Sequence, residues 1–179
     1  PLSMNPARPA FRFLRLLAVA AWLGGAWTGA QADEYASVAQ LIKAGKPQEA
    51  LAQLAPRITA NPRDPQLRFL RGVAQSDAGQ QAEAIETFVR LTEEYPELPE
   101  PYNNLAVLYA AQNQLEKARA ALEMAIRAKP GYATAHENLG DIYARLATQS
   151  YARAQQLDAA VGASVAPKLK LLRELFAHR

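Results

Sequence analysis

Two consecutive stretches of 34 residues decide the fold of this chain: Pro65–Leu98, PQLRFLRGVAQSDAGQQAEAIETFVRLTEEYPEL, and Pro99–Tyr132, PEPYNNLAVLYAAQNQLEKARAALEMAIRAKPGY. Small residues recur at this interval at two places, first Gly72, Ala106 and Gly140, then Ala50, Ala84 and Ala118. A turn residue and a proline recur with them, namely Gly45, Gly79 and Asn113, and Pro62, Pro96 and Pro130. Several markers at one fixed period indicate a repeat architecture.

The markers fit a helical hairpin as the repeated unit. Small residues in both helices let two backbones approach closely, and larger residues such as Leu54, Phe88 and Leu122 fill the space to the next hairpin. Gly45 and Gly79 allow the turn conformation at low steric cost, and each proline ends a second helix because it cannot continue the hydrogen-bond ladder. One hairpin cannot bury both of its faces, so stacking must supply the core.

These residues resemble the tetratricopeptide-repeat family, whose pattern has a small residue at position 8, an aromatic at 11, Ala at 20 and Pro at 32. The resemblance implies an all-α, right-handed solenoid of hairpins. Together with the N-terminal segment described below, it leads us to expect an exported bacterial member of this family. Its repeats are predicted over 31–64, 65–98 and 99–132, within a domain spanning 33–179. Two positions depart from the pattern: Glu34 replaces a bulky aromatic residue, and Gln75 replaces the tyrosine.

The fourth repeat, 133–158, is irregular because its turn is missing. Apolar or small residues keep a helical period through that point, which predicts one long helix from about Ala133 to Asp158. Residues 159–166 are interpreted as a linker. Pro167 is then expected to open a last helix over 167–177, which caps the solenoid with Leu169, Leu171, Leu172, Leu175 and Phe176.

The first 32 residues predict a secretory signal peptide, with Met4 as the start and residues 1–3 upstream of it. Three arginines without an acid precede an apolar stretch over 16–27, and Ala30 and Ala32 form a small-x-small pair, so cleavage is expected after Ala32. The alternative is an uncleaved anchor. An apolar run of about 12 residues is short for a span, which needs roughly 20, so no stable membrane insertion is expected after cleavage.

Charge and cysteine content bear on the class of partner and on the compartment. Residues 1–32 hold three of the 20 Lys and Arg residues and none of the 17 Asp and Glu residues, so the mature chain is formally neutral. We therefore expect no nucleic-acid partner. The absence of cysteine suits an oxidising compartment, and the bacterial periplasm is the predicted location.

The sequence offers no arrangement of residues for catalysis, a metal or a cofactor. His136 occupies a bulky first-helix position and is expected to pack between helices. A metal site would need carboxylates alone, and the sequence contains neither a dense acidic loop nor a glycine-rich phosphate loop. We expect neither an enzyme nor a cofactor.

The resemblance implies instead a concave groove lined by the first helix of each repeat, where family members hold a protein or peptide. The residues predicted to bind the partner are Phe69, Leu70, Val73, Asn103, Asn104, Val107, Glu137, Asn138, Asp141 and Arg145. Asn104 and Asn138 share the sixth repeat position and could read a partner's backbone, although both could equally be solvated. The apolar floor formed by Phe69, Leu70, Val73 and Val107 could alternatively be covered by the N-terminal repeat or a second copy.

The basic clamp by which chaperone-binding relatives hold an acidic C-terminal tail is absent. The resemblance places its residues at Tyr35, Ala39, Gln66 and Leu70, none of which is basic. The leading hypothesis is a periplasmic adaptor in cell-envelope assembly or protein maturation. The alternative is a self-associating structural subunit that uses the groove or the last helix.

Overall fold

The computed structural model describes residues 29–177 and shows eight α-helices in that range. Most of the predicted signal peptide, residues 1–28, lies outside the described residues, as do residues 178–179. The helices are α1 Gly29–Lys43, α2 Pro47–Ala60, α3 Pro65–Asp77, α4 Gln81–Glu94, α5 Pro99–Ala111, α6 Leu115–Ala128, α7 Ala133–Leu157 and α8 Ala159–Ala177. Within 29–177 no helix combines the length and the apolar character that a membrane span requires. The predicted all-α fold is confirmed.

The helices form stacked hairpins around one continuous core. Each helix contacts the next along the chain, and α3 also contacts α1 and α5. The core runs from Tyr35 in α1 to Ile142 in α7, and Leu54, Phe88, Leu91 and Leu122 are its largest fully buried apolar side chains in the second helices. Since α3 contacts α5, and Asn138 of α7 is hydrogen-bonded to Asn103 of α5, these three helices form one row, which we call the first-helix row.

Local sequence signals set the ends of the helices. Pro47, Pro65 and Pro99 begin α2, α3 and α5, at the position where a missing N–H removes no helical hydrogen bond. The turns within the hairpins use residues with positive φ, Gly79 at 80° and Asn113 at 58°. The starts of α3, α5 and α7 are 34 residues apart, which is the period of the sequence.

Neighbouring repeats are also joined by partly buried polar contacts. Asp64 caps α3 by accepting hydrogen bonds from the amides of Gln66 and Leu67 at 2.8 and 3.1 Å, and it accepts one from the Tyr35 hydroxyl at 2.6 Å. Its carboxylate thus ties the start of one repeat to α1. Burial and the hydrogen bond to Asp64 raise the pKa of Tyr35 well above its ordinary value.

The long helix of the fourth repeat is confirmed, since α7 runs without interruption over Ala133–Leu157. The predicted linker over 159–166 is wrong, because α8 begins at Ala159 and Pro167 lies inside it on an exposed face. The Asp158 side chain caps α8 by accepting from the amides of Ala160 and Val161. The small residues of 159–166 are typical of a flexible segment, whereas in the structure Gly162 is buried against Gln155 of α7 and allows the two helices to pack closely.

A glycine at the eighth repeat position is required in α3 and not in α7. A Cβ at Gly72 would lie 2.6 Å from the ring of Phe88, which is fully buried and cannot move aside. A Cβ added at Gly140 would have no atom within 4 Å, because the missing turn leaves this side of α7 without a second helix. The close approach predicted from the repeat pattern therefore occurs at Gly72 and not at Gly140.

We predict that Gly72→Ala lowers the free energy of unfolding by about 1–3 kcal/mol, through overpacking against Phe88. Gly140→Ala is the matched control and is expected to raise it by about 0.5–1 kcal/mol, since alanine favours the helix and meets no obstacle. Urea unfolding followed by circular dichroism measures both values. Equal effects of the two substitutions would contradict the packing described for α3 and α4.

Candidate partner-binding face

The ten residues predicted to bind a partner lie along the first-helix row. Three are on α3, three on α5 and four on α7: Phe69, Leu70 and Val73; Asn103, Asn104 and Val107; and Glu137, Asn138, Asp141 and Arg145. They differ widely in exposure. Leu70, Val73, Asn103 and Asn138 are buried, Glu137 is exposed, and the other five are half-buried. The structure thus separates this set into core residues and accessible ones.

The apolar floor predicted on α3 is largely covered. Leu70 is 2% exposed and Val73 is 9% exposed, and both belong to the continuous core. The ring of Phe69 packs against that of Phe88 in α4, with centroids 5.7 Å apart. Of the predicted floor, Phe69 and Val107 keep partial exposure, whereas Leu70 and Val73 are part of the core.

The buried asparagines pair with each other across the row. Asn138 Nδ2 donates to Asn103 Oδ1 at 2.8 Å, joining α7 to α5. Arg145 Nη1 makes a second link between the same helices by donating to the carbonyl of Ala110 at 3.1 Å. The repeat pattern groups Asn138 with Asn104, but Asn104 donates to the carbonyl of Glu100 in its own helix. Because their repeat positions differ by one, the Asn103–Asn138 pair was not apparent from the 34-residue period.

Charge on this face includes one carboxylate that is absent from the predicted set. Glu100 is 4% exposed, and its Oε2 is buried without a hydrogen-bond partner among the described residues. Tyr132, at the start of α7, has its pKa raised to about 12, chiefly by burial and also by the charge of Glu100. Glu100 occupies the second position of its repeat, which the family pattern places on the groove.

Arg145 is the one cation among the ten predicted residues. Burial lowers its pKa, and the charge of Asp141 one turn earlier acts in the opposite direction. Within residues 29–177 no group of three or more His, Asp and Glu side chains is placed to hold a metal ion. This face therefore offers amides, carboxylates, one guanidinium and partly exposed apolar side chains, a mixture suited to contact with a polypeptide.

Comparison with known protein families finds two matches in this chain. Residues 35–99 match the family described as tetratricopeptide repeat, and residues 108–146 match the one described as TPR repeat. The chain is also 47% identical over 47 residues to a tetratricopeptide repeat domain-containing protein, PYG7, chloroplastic, of Arabidopsis thaliana. That match covers 26% of this chain and 16% of the relative, so the likeness concerns a small part of the plant protein.

Two solved structures share the fold. TTC0263, a thermophilic TPR protein of Thermus thermophilus, is 26% identical with a TM-score of 0.60, over 72% of this chain and 75% of its own. YrrB, a TPR protein with an unusual peptide-binding site, is 30% identical with a TM-score of 0.54, over 58% of this chain and 54% of its own. Both are stacked helical repeats of the kind seen here.

We predict that Asn138→Ala lowers the free energy of unfolding by about 1–3 kcal/mol, because it leaves the buried Oδ1 of Asn103 without a donor. Asn104→Ala is the control: its side chain bonds within its own helix and is half-buried, so a change below about 0.5 kcal/mol is expected. The double variant Asn103→Leu with Asn138→Leu should recover part of the loss, since neither polar group is then left unpaired. Chemical unfolding of the four proteins tests this, and equal losses for Asn104→Ala and Asn138→Ala would refute it.

Proposed function

Because the chain belongs to the tetratricopeptide-repeat family, we propose that it is an adaptor that binds a protein or peptide partner along its first-helix row. The observation that carries the proposal is the row itself. The links Asn138–Asn103 and Arg145–Ala110 hold α5 and α7 side by side, which supports a site where residues about 34 positions apart in the chain contact one ligand. We infer a binding role without a catalytic step.

The accessible residues define where the partner would sit. Six of the ten can contact a ligand without unfolding of the core: the exposed Glu137 and the half-buried Phe69, Asn104, Val107, Asp141 and Arg145. The four buried members of the predicted set would hold the accessible ones in position through the core. The peptide-binding site of YrrB is consistent with such a role for a face of stacked repeats.

We further propose that the adaptor works in the periplasm, in cell-envelope assembly or protein maturation. The support is the sequence of residues 1–32, with three arginines, an apolar stretch and Ala30 and Ala32 before the expected cut. A cut after Ala32 would remove the first four residues of α1 and keep Tyr35, Val38 and Ile42, which are buried in the core. Export and a stable first hairpin are therefore compatible.

The test is production of the full chain in a Gram-negative host, cross-linking in the periplasm, and mass spectrometry of the product. We predict a mature protein that begins at Asp33 and carries a cross-linked partner. Val107→Arg with Glu137→Lys should weaken binding of that partner at least about tenfold, because the new side chains add bulk and reverse a charge on the row. The measurement is titration of the purified partner.

A matched control reverses a charge away from the row. Glu86→Lys alters an exposed carboxylate of α4 that pairs with Arg90 in its own helix at 2.6 Å. Partner affinity should stay unchanged in this variant. If Glu86→Lys lost binding while Val107→Arg with Glu137→Lys kept it, the partner would bind outside the first-helix row. A chain retained in the cytoplasm with residues 1–32 intact would refute the proposed export.

A second candidate function is self-association through α8. In this helix Leu172 and Phe176 are half-buried, whereas Leu171 and Leu175 are 67% and 48% exposed and lie one turn apart. Two exposed leucines in register on one helix are typical of a contact surface. A second copy of the chain is the occupant that this candidate function requires.

Light scattering with size-exclusion chromatography tests self-association. If α8 is the interface, the purified chain elutes as a dimer, and Leu171→Gln with Leu175→Gln converts it to a monomer of unchanged helicity. Leu157→Gln is the control, since Leu157 is 68% exposed at the end of α7 and outside this surface. A monomer before any substitution would rule out this candidate.

A further inference from the structure

A cavity of about 400 Å³ lies where the last two helices meet the turn between α5 and α6. It lies apart from the Asn103–Asn138 pair, although Arg145 both lines the cavity and links α7 to α5. The lining side chains come from four segments, and they are Asn113, Leu115, Arg145, Thr148, Gln149, Leu172, Arg173 and Phe176. A volume near the lower end of the range for small-molecule sites, roughly 300–1,000 Å³, suits one amino-acid side chain with its neighbouring polar group.

One wall of the cavity is apolar. Leu115, at the start of α6, is 4% exposed and forms a fixed surface. Leu172 and Phe176 are one turn apart on α8 and are half-buried, so each still presents apolar surface to the space between the helices. A ligand that covered these side chains would remove apolar area from water and gain stability by doing so.

The other side of the cavity is cationic and polar. Arg145 and Arg173 both line it, with the neutral side chains Asn113, Thr148 and Gln149, and none of the eight lining residues is acidic. Arg145 gives one N–H to the Ala110 carbonyl, and burial lowers its pKa. The carboxylates nearest in sequence lie outside the lining. Glu116 pairs with Arg119 at 2.9 Å, and Glu174 lies 3.9 Å from Lys170. Asp141 is a turn earlier on α7, and its charge acts on Arg145.

The amino end of α6 borders the cavity, and its first turn contains one acidic residue, Glu116. Asn113 and Leu115 flank its N-cap residue Gln114, and no side chain caps the first turn. The free amides of a helix's first turn carry partial positive charge and favour an anion nearby. Two arginines and the start of one helix therefore border the same small cavity.

We propose that this cavity binds a carboxylate carried on an apolar group, with Arg145 and Arg173 holding the carboxylate and Leu115, Leu172 and Phe176 covering the apolar part. A guanidinium matches a carboxylate in geometry and can donate two parallel hydrogen bonds to it. The apolar wall favours this ligand over a bare inorganic anion, which would leave that wall exposed to water. Such a carboxylate can come from a small organic acid or from the last residue of a polypeptide.

The test uses N-acetyl-L-phenylalanine and its amide, titrated into the isotopically labelled chain and followed by NMR. The acid should shift the resonances of residues lining the cavity and bind at least about tenfold more tightly than the amide, because only the acid can pair with the guanidinium groups. Inorganic phosphate should bind more weakly than the acid. A short peptide that ends in free phenylalanine separates the two sources: tighter binding than the acid indicates a polypeptide, and equal binding indicates a small acid.

Substitutions locate the site. Arg173→Gln, on the exposed surface of α8, should lower affinity for the acid about tenfold without changing the helical signal. Arg153→Gln removes a cation of α7 that does not line the cavity and should leave affinity unchanged. Phe176→Leu keeps an apolar side chain in place and should retain most of the binding. Equal affinity for acid and amide, or equal losses for the Arg173 and Arg153 variants, would overturn the proposal.

Discussion

The close contact between Gly72 and the ring of Phe88 shows the constraint on which the rest of the structure depends. The helices α3 and α4 can pack this closely only because a small residue of one helix faces a large residue of the other. The 34-residue period places small residues at the same position in the neighbouring first helices. Because Phe88 is fully buried, the spacing between α3 and α4 is fixed. That spacing positions α5 on the next hairpin, and so sets the geometry of the first-helix row.

Buried side chains and hydrogen bonds also hold the helices of the row in one arrangement. Its α3 segment is anchored in the core by Leu70 and Val73, and its α5 and α7 segments are joined by an amide pair and by an arginine bound to a carbonyl. Buried amides that satisfy each other favour one arrangement of the helices over alternatives that would leave polar groups unpaired. A partner would therefore meet a preformed surface, and its binding would not have to order these helices.

The sequence predicted the repeated hairpins, their period and the long α7, because each follows from local markers: small residues, turn residues, prolines and a continuous helical pattern. It did not predict which groove positions are buried. Val73 and Val107 share one repeat position, yet one lies in the core and the other is accessible, since burial depends on what packs against each helix from other repeats. The linker was mispredicted for the same reason, because only the contact of Gly162 with Gln155 shows that the segment 159–166 packs against α7.

The place where the repeat pattern fails is also where the chain acquires a new feature. In the two preceding repeats the first helix ends at Asp77 and Ala111, and the equivalent residue of the fourth repeat is Arg145. Since α7 continues past this point to Leu157, Thr148 occupies a helical position where the other hairpins turn, and Gln149 stands where their second helices begin. The extension gives α8 a surface to pack along and leaves a cavity beside the α5–α6 turn, so a regular fourth hairpin would have had neither this wall nor this cavity.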